Sequence, residues 1–150
     1  MCLHSQSRRG ASVVEFALVG PIFLLLLIGL LVGGMGVFRY QEVASLTRMS
    51  SRWASVHGTQ YQLDTGQPAA TAPDVYNNVI VPQNVSLDLT QLQYSVTWNT
   101  DNGPYHTAIV NGNVVYVNNT VTVQITYQWI PEAYFGGMTL SSTSVTQMSE

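Results

Sequence analysis

The sequence predicts an α+β protein: a long N-terminal transmembrane and stalk helix followed by a small antiparallel β-sheet domain. Three observations carry that expectation. Residues 16–38 run for 23 positions without a charge. Beyond residue 77 the apolar residues alternate with polar ones. All five basic residues (Arg8, Arg9, Arg39, Arg48, Arg52) lie within the first 52 positions of the 150-residue chain, so its two halves differ in charge as well as pattern.

The apolar run is FALVGPIFLLLLIGLLVGGMGVF. As a helix it extends roughly 35 Å at about 1.5 Å per residue, against a hydrocarbon core about 30 Å thick. That is long enough to cross a bilayer with some tilt. A cleaved secretory signal has a shorter apolar core and a small-residue site after it; Gly33-Gly34-Met35-Gly36 imitates that site poorly. A plain signal anchor is the simplest alternative.

The stretch before the run says more. A basic pair, Arg8-Arg9, precedes Gly10; four small or apolar residues follow; then Glu15 stands at the membrane edge. A carboxylate costs about 2.5–3.5 kcal/mol at mid-membrane and less near the interface. The expense is understandable if Glu15 has a cationic partner; a headgroup-level acid facing water is the plainer reading. Within the run, Pro21 is a natural kink point. Gly29 and Gly33 form a GxxxG pair that lets helices approach closely, although Gly is frequent in such helices anyway.

RRGASVVEFALVGPIFLLLLIGLL resembles the TadE-like family of minor pilins (pseudopilins) from tight-adherence, or Flp, pilus systems, through Arg8, Arg9, Gly10, Val14, Glu15, Phe16, Pro21 and Leu24–Leu27. The tail ITYQWIPEAYFGGMTLSSTSVTQMSE is similar to that of the family. The resemblance implies that residues 1–10 are a prepilin-type leader, cut between Gly10 and Ala11 by a membrane prepilin peptidase. The new Ala11 amine, with an ordinary pKa of about 7.7–8, would then be a cation for Glu15 of an adjacent subunit. The implied partners are membrane lipid, the peptidase, other pilin or pseudopilin subunits and the pilus assembly machinery. The implied place is a bacterial inner membrane, single-pass, with the C-terminal domain extracytoplasmic, and beyond that an extracellular pilus. The positive-inside count, with three Arg after the run and two before it, weakly favours the opposite orientation; the processing reading requires a cytosolic leader.

After the run, residues 11–57 are expected to continue as one helix, with Val37, Tyr40, Ala44, Leu46, Thr47, Trp53 and Val56 loosely on one side. Arg39 and Glu42 have i, i+3 spacing, and His57-Gly58 is a plausible stop. Residues 58–76 read as a linker, Thr59 to Pro73 being rich in Gln, Thr, Ala, Gly and Pro. Residues 77–150 read as one antiparallel sheet. Strands are expected around Val85–Leu89, Leu92–Trp98, Val121–Trp129 and Thr139–Thr146, with turns at Asn99–Pro104 and Asn111-Gly112. The stalk or a partner must cover the apolar face of such a sheet.

Little in the chain suggests catalysis. His4, His57 and His106 have no metal-ligand spacing. His106, near Asp101, reads as a solvated loop histidine. Cys2 is the sole cysteine, so neither an intrachain disulfide nor a cysteine metal cluster forms. Beyond Arg52 all six formal charges are acidic, which argues against nucleic-acid binding. The expectation is no enzyme, no cofactor, no metal and no small-molecule substrate, but a pilus-assembly subunit with a role in secretion or cell adhesion. A membrane-anchored binding or adhesion module outside any fibre is the alternative.

Overall fold

The computed structural model describes residues 8–131 and 136–149, including their side chains except those of Arg8, Arg9 and Ala11. Leader residues 1–7, with Cys2 and His4, lie outside the described residues, as do Glu132 and Glu150. The fold is the α+β arrangement expected: a long apolar helix, then antiparallel strands. The chain divides into two compact units, Met1–Val37 and Phe38–Glu150. Helix α1 (Arg8–Val56) begins in the first and ends in the second.

In the first unit α1 presents its apolar side chains outward. Leu18, Leu25, Leu26, Leu30 and Leu31 are exposed, and none of the most apolar stretch is buried within the chain. A helix that is apolar all round and exposed along that stretch fits a hydrocarbon surrounding.

In the second unit α1 has a buried stripe. Val43, Leu46, Thr47, Ser50, Ser51, Ala54 and Ser55 recur at three- and four-residue steps and are all buried. This corrects the expected face. Leu46 and Thr47 belong to it, but Val37, Tyr40 and Val56 are exposed. The apolar residues misled because the packing face is built largely from small hydroxyl residues. Thr47 Oγ1 donates to Val43 O at 2.7 Å, Ser51 Oγ to Arg48 O at 3.0 Å and Ser55 Oγ to Arg52 O at 2.9 Å. Each hydroxyl is thereby satisfied by its own helix and is small enough to be buried.

That stripe faces a three-stranded antiparallel sheet of order β1-β4-β5, comprising β1 (Leu92–Trp98), β4 (Thr120–Trp129) and β5 (Met138–Gln147). The register pairs Val96 with Val123 and Val123 with Ser144. One face therefore gathers Tyr94, Val96, Val121, Val123, Ile125, Ser144 and Thr146. Ser51 Oγ lies 2.8 Å from Ser144 Oγ, and Thr146 Oγ1 donates to Ser51 Oγ at 2.9 Å. Ser149 N–H donates to Ser55 O at 3.0 Å, tying the chain's end to the helix's last turn. Val121, Val123 and Ile125 are fully buried, a contribution of about 1.5–3 kcal/mol each.

The sheet domain departs from expectation in three places. The strands do not form one sheet: β2 (Tyr105–Val110) and β3 (Asn113–Asn118) make a separate two-stranded hairpin. Asn111 and Gly112 both have positive φ, 52° and 79°, as a type I′ turn demands, so its Asn-Gly turn falls where the sequence placed it. Val85–Leu89 is not a strand; it leads into a 3₁₀ turn at Leu89–Gln91. The stretch expected as loop and early strand is substantially helical. Helix α2 (Thr59–Thr65) is closed by left-handed Gly66. Helix α3 (Ala72–Val75), a π-helical turn (Tyr76–Ile80) and α4 (Val81–Gln83) then follow without a break. Pro73 sits in the first turn, where its missing N–H costs nothing. Val75, Val79 and Ile80 are buried, and Tyr76 stacks on Tyr94 of β1 at 4.7 Å between ring centres. This segment is a second cover for the sheet face, beside α1.

The α1 stop is set by close approach. A Cβ on Gly58 would lie 2.2 Å from Asn102 O and 2.7 Å from Met148 Cε. Thr59 N–H donates to that same Asn102 carbonyl at 2.9 Å. Gly58→Ala is therefore expected to cost about 1–3 kcal/mol of stability, read as a lowered melting temperature of the full chain in detergent. Gly66→Asn, at an open left-handed position, is the mild comparison.

Candidate functional site

The residues singled out in the sequence lie along the first part of α1. The Gly10–Ala11 bond lies within α1 (Arg8–Val56). Gly10 is exposed, and a Cβ there would meet nothing within 4 Å. Glu15 is exposed one turn further on. Pro21 lies inside the helix and is exposed. Having no N–H, it leaves the Ala17 carbonyl without its usual helical donor. Gly29 and Gly33 also look onto open space. These residues share one helix and are not gathered into a pocket; their surfaces are free for another molecule.

A second cluster, formed across sequence, lies just beyond the apolar run. Arg39 and Glu42 come within 3.9 Å, as their spacing suggests. The turn after α4 reaches them. Glu42 Oε1 accepts the N–H groups of Val85 at 2.9 Å and Ser86 at 2.8 Å, while the Ser86 hydroxyl donates to Glu42 Oε2. Arg39 Nη1 donates to both the Ser86 carbonyl and its hydroxyl. Asn84 closes the turn by donating to Leu87 O at 2.7 Å and accepting from Leu87 N–H at 3.0 Å. The Glu42 side chain is only 9% exposed. Burial pushes its pKa up. Hydrogen bonds from the Ser86 hydroxyl and N–H, then from Val85 N–H, and finally the Arg39 charge, outweigh that and hold it below its ordinary value.

With this geometry in view, the comparison with protein families is specific. Residues 10–52 match the TadE-like protein family. No curated protein and no solved structure matches the chain. The TadE-like segment opens on Gly10 and includes Glu15, Pro21, Gly29 and Gly33. It continues through Arg39 and Glu42 and ends after Ser51, so it takes in most of the buried serine stripe. It stops short of the strands. The likeness thus covers the long apolar stretch of α1 and most of the part of the helix that seats on the sheet, well under half of the chain.

A third cluster was not legible in the sequence. Asn119 is fully buried between β3 and β4. Its Oδ1 accepts from Thr100 Oγ1 and His106 Nδ1, each at 2.6 Å; its Nδ2 donates to Asp101 Oδ1 at 2.8 Å and Gly103 O at 3.0 Å. Its main chain bonds Pro104 O at 2.9 Å and Met148 N–H at 2.8 Å. His106 is thus no solvated loop histidine: it stands half-buried in β2 and, as donor to Asn119, carries its proton on Nδ1. The His106–Asp101 proximity was the available signal; the amide joining them was not. Elsewhere Trp53 stacks on His57 at 4.0 Å between ring centres, and the Tyr61 ring meets His57 tilted, at 4.6 Å. Among the described residues no group of three His, Cys, Asp or Glu is placed to hold a metal ion.

The Glu42 clamp carries a pH dependence. Its folded pKa is depressed, so its stabilisation is present above the ordinary carboxylate pKa of about 4.3. It is lost as pH falls through the folded value. Glu42→Gln should lower the melting temperature at neutral pH. It should also flatten the fall in melting temperature below about pH 4.3, as followed by far-UV circular dichroism in detergent.

Proposed function

We propose that the chain is a pilin-like, membrane-anchored subunit that contributes to assembly of a tight-adherence (Flp-type) pilus or a related secretion fibre, after cleavage between Gly10 and Ala11. The observation that carries this reading is the TadE-like match from Gly10 to Arg52, laid on a helix whose apolar side chains are exposed. The exposed leucines and the open Gly29–Gly33 surface suit packing against other membrane helices.

Cleavage would place a new amine on Ala11, four residues before Glu15. Glu15 is exposed, so its carboxylate is free to meet the amine of an adjacent subunit. In a low-dielectric setting that pairing would offset the cost of an acid beside the membrane and fix the register between helices. This reading places the chain in a bacterial inner membrane with the sheet domain outside the cytoplasm. It gives the chain a positional role and no catalytic one.

N-terminal sequencing of the mature membrane protein tests the processing step. The expected terminus is Ala11. Gly10→Ala should abolish it and leave the leader attached, whereas an intact Met1 in the wild-type chain would contradict the proposal. Glu15→Ala should still be cut but should reduce incorporation into fibres by at least tenfold; undiminished assembly would remove the role given to that carboxylate.

A further inference from the structure

The β2–β3 hairpin is the part of the second unit that its own packing leaves unexplained. All six residues of β3 are exposed. Ile109 is 77% exposed, Val114 67% and Tyr116 69%. The register places Tyr105, Ile109, Val114 and Tyr116 on one face and Val110, Val115 and Val117 on the other, so both faces carry exposed apolar side chains. Tyr105 and Tyr116 meet edge to face at 5.1 Å. A lone two-stranded hairpin is marginal in water, and this one is built of residues that gain most by burial.

Its edges are equally open. β3 pairs only with β2. Proteins normally blunt such an edge with charge, proline or a bulge, and β3 has none of these. Between Asp101 and Glu132 no residue carries a formal charge. The β3 sequence, Asn-Val-Val-Tyr-Val-Asn, is uncharged throughout, so antiparallel pairing with an identical strand opposes no like charges. In the hairpin, the two-residue turn makes Val110 and Asn113 a hydrogen-bonded pair, so the groups of Asn113, Val115 and Val117 turn toward β2. Those of Val114, Tyr116 and Asn118 turn outward.

We propose that β3 is a self-association edge, and that its occupant is the β3 strand of a second copy of this chain. The two strands run antiparallel about a two-fold axis at Tyr116. That register sets Val114 against Asn118 of the second copy and Val115 against Val117 of the second copy, and joins two hairpins into one four-stranded sheet. A charged partner strand would find no counter-charge here, while an identical one meets no like-charge repulsion. Anchoring by a membrane helix would hold copies on one side of a bilayer and raise their effective concentration. The inference stands without the pilus reading, because it uses only the hairpin's pattern and exposure.

The test is cysteine cross-linking of the full chain in proteoliposomes, in a Cys2→Ser background. Tyr116→Cys should give a disulfide-linked homodimer on mild oxidation, and Thr143→Cys, on the outer face of β5, should not. Val115→Lys in the Tyr116→Cys chain should reduce the cross-link at least tenfold, with far-UV circular dichroism confirming that the sheet remains. Equal cross-linking at Tyr116 and Thr143, or none at Tyr116, would overturn the proposal. So would wild-type chains that show no energy transfer between differently labelled copies in the same proteoliposomes.

Discussion

Everything beyond the membrane helix depends on how closely α1 can approach the sheet. A sheet of three strands has one face to hide and little with which to hide it. In this chain the concealment comes from a stripe of small residues on α1, in which Ser50, Ser51, Ala54 and Ser55 are all buried. Large side chains there would hold the helix away from β4 and β5. Serines let it close down and then supply the Ser51–Ser144–Thr146 hydroxyl contacts across the interface. Buried hydroxyls are costly unless bonded; those of Thr47, Ser51 and Ser55 bond to their own helix and Ser51 also to the sheet, whereas the buried Ser50 hydroxyl has no partner among the described residues.

The other polar clusters act around that contact. The Glu42–Ser86 clamp attaches the turn after α4 to α1 immediately before the stripe begins at Val43. That places the second helical cover, with Val75, Val79 and Ile80, over the same sheet face. Asn119 ties the hairpin's base to β4 and to the chain's last residues through Met148. Ser149 then returns to Ser55. The fold closes through polar residues at defined places, in a chain where only 9% of residues are charged, so single hydroxyls and amides do work that ion pairs do in other proteins.

This explains what was legible in the sequence. The apolar run, β1, β4 and the Asn111-Gly112 turn are written in local patterns: an uncharged stretch, strict alternation and a dipeptide tolerant of positive φ. The Arg39–Glu42 pair was legible from its spacing. The helix face was not, because serines read as polar and solvent-facing until the sheet is set against them. Val85, Leu87 and Leu89 alternate like a strand, yet Asn84 and Glu42 capture the backbone groups that a strand would need. The two-sheet arrangement depends on Asn119, whose partners lie 13 to 19 residues away in sequence and include a loop carbonyl. Of the site, Gly10 and Glu15 were visible as a motif, and the family match from residue 10 to 52 covers that same stretch.

The central claim is that small residues on α1 set the helix-to-sheet distance on which the domain rests. Amide hydrogen exchange across β4, compared among wild type, Ser51→Leu and Arg52→Leu, tests it directly. Arg52 is exposed beside Ser51 in sequence, so both substitutions add an apolar side chain to the same helical turn. The account predicts that Ser51→Leu sharply reduces protection of the amides from Val121 to Trp129, while Arg52→Leu leaves them as in wild type. Equal protection in all three chains would contradict it.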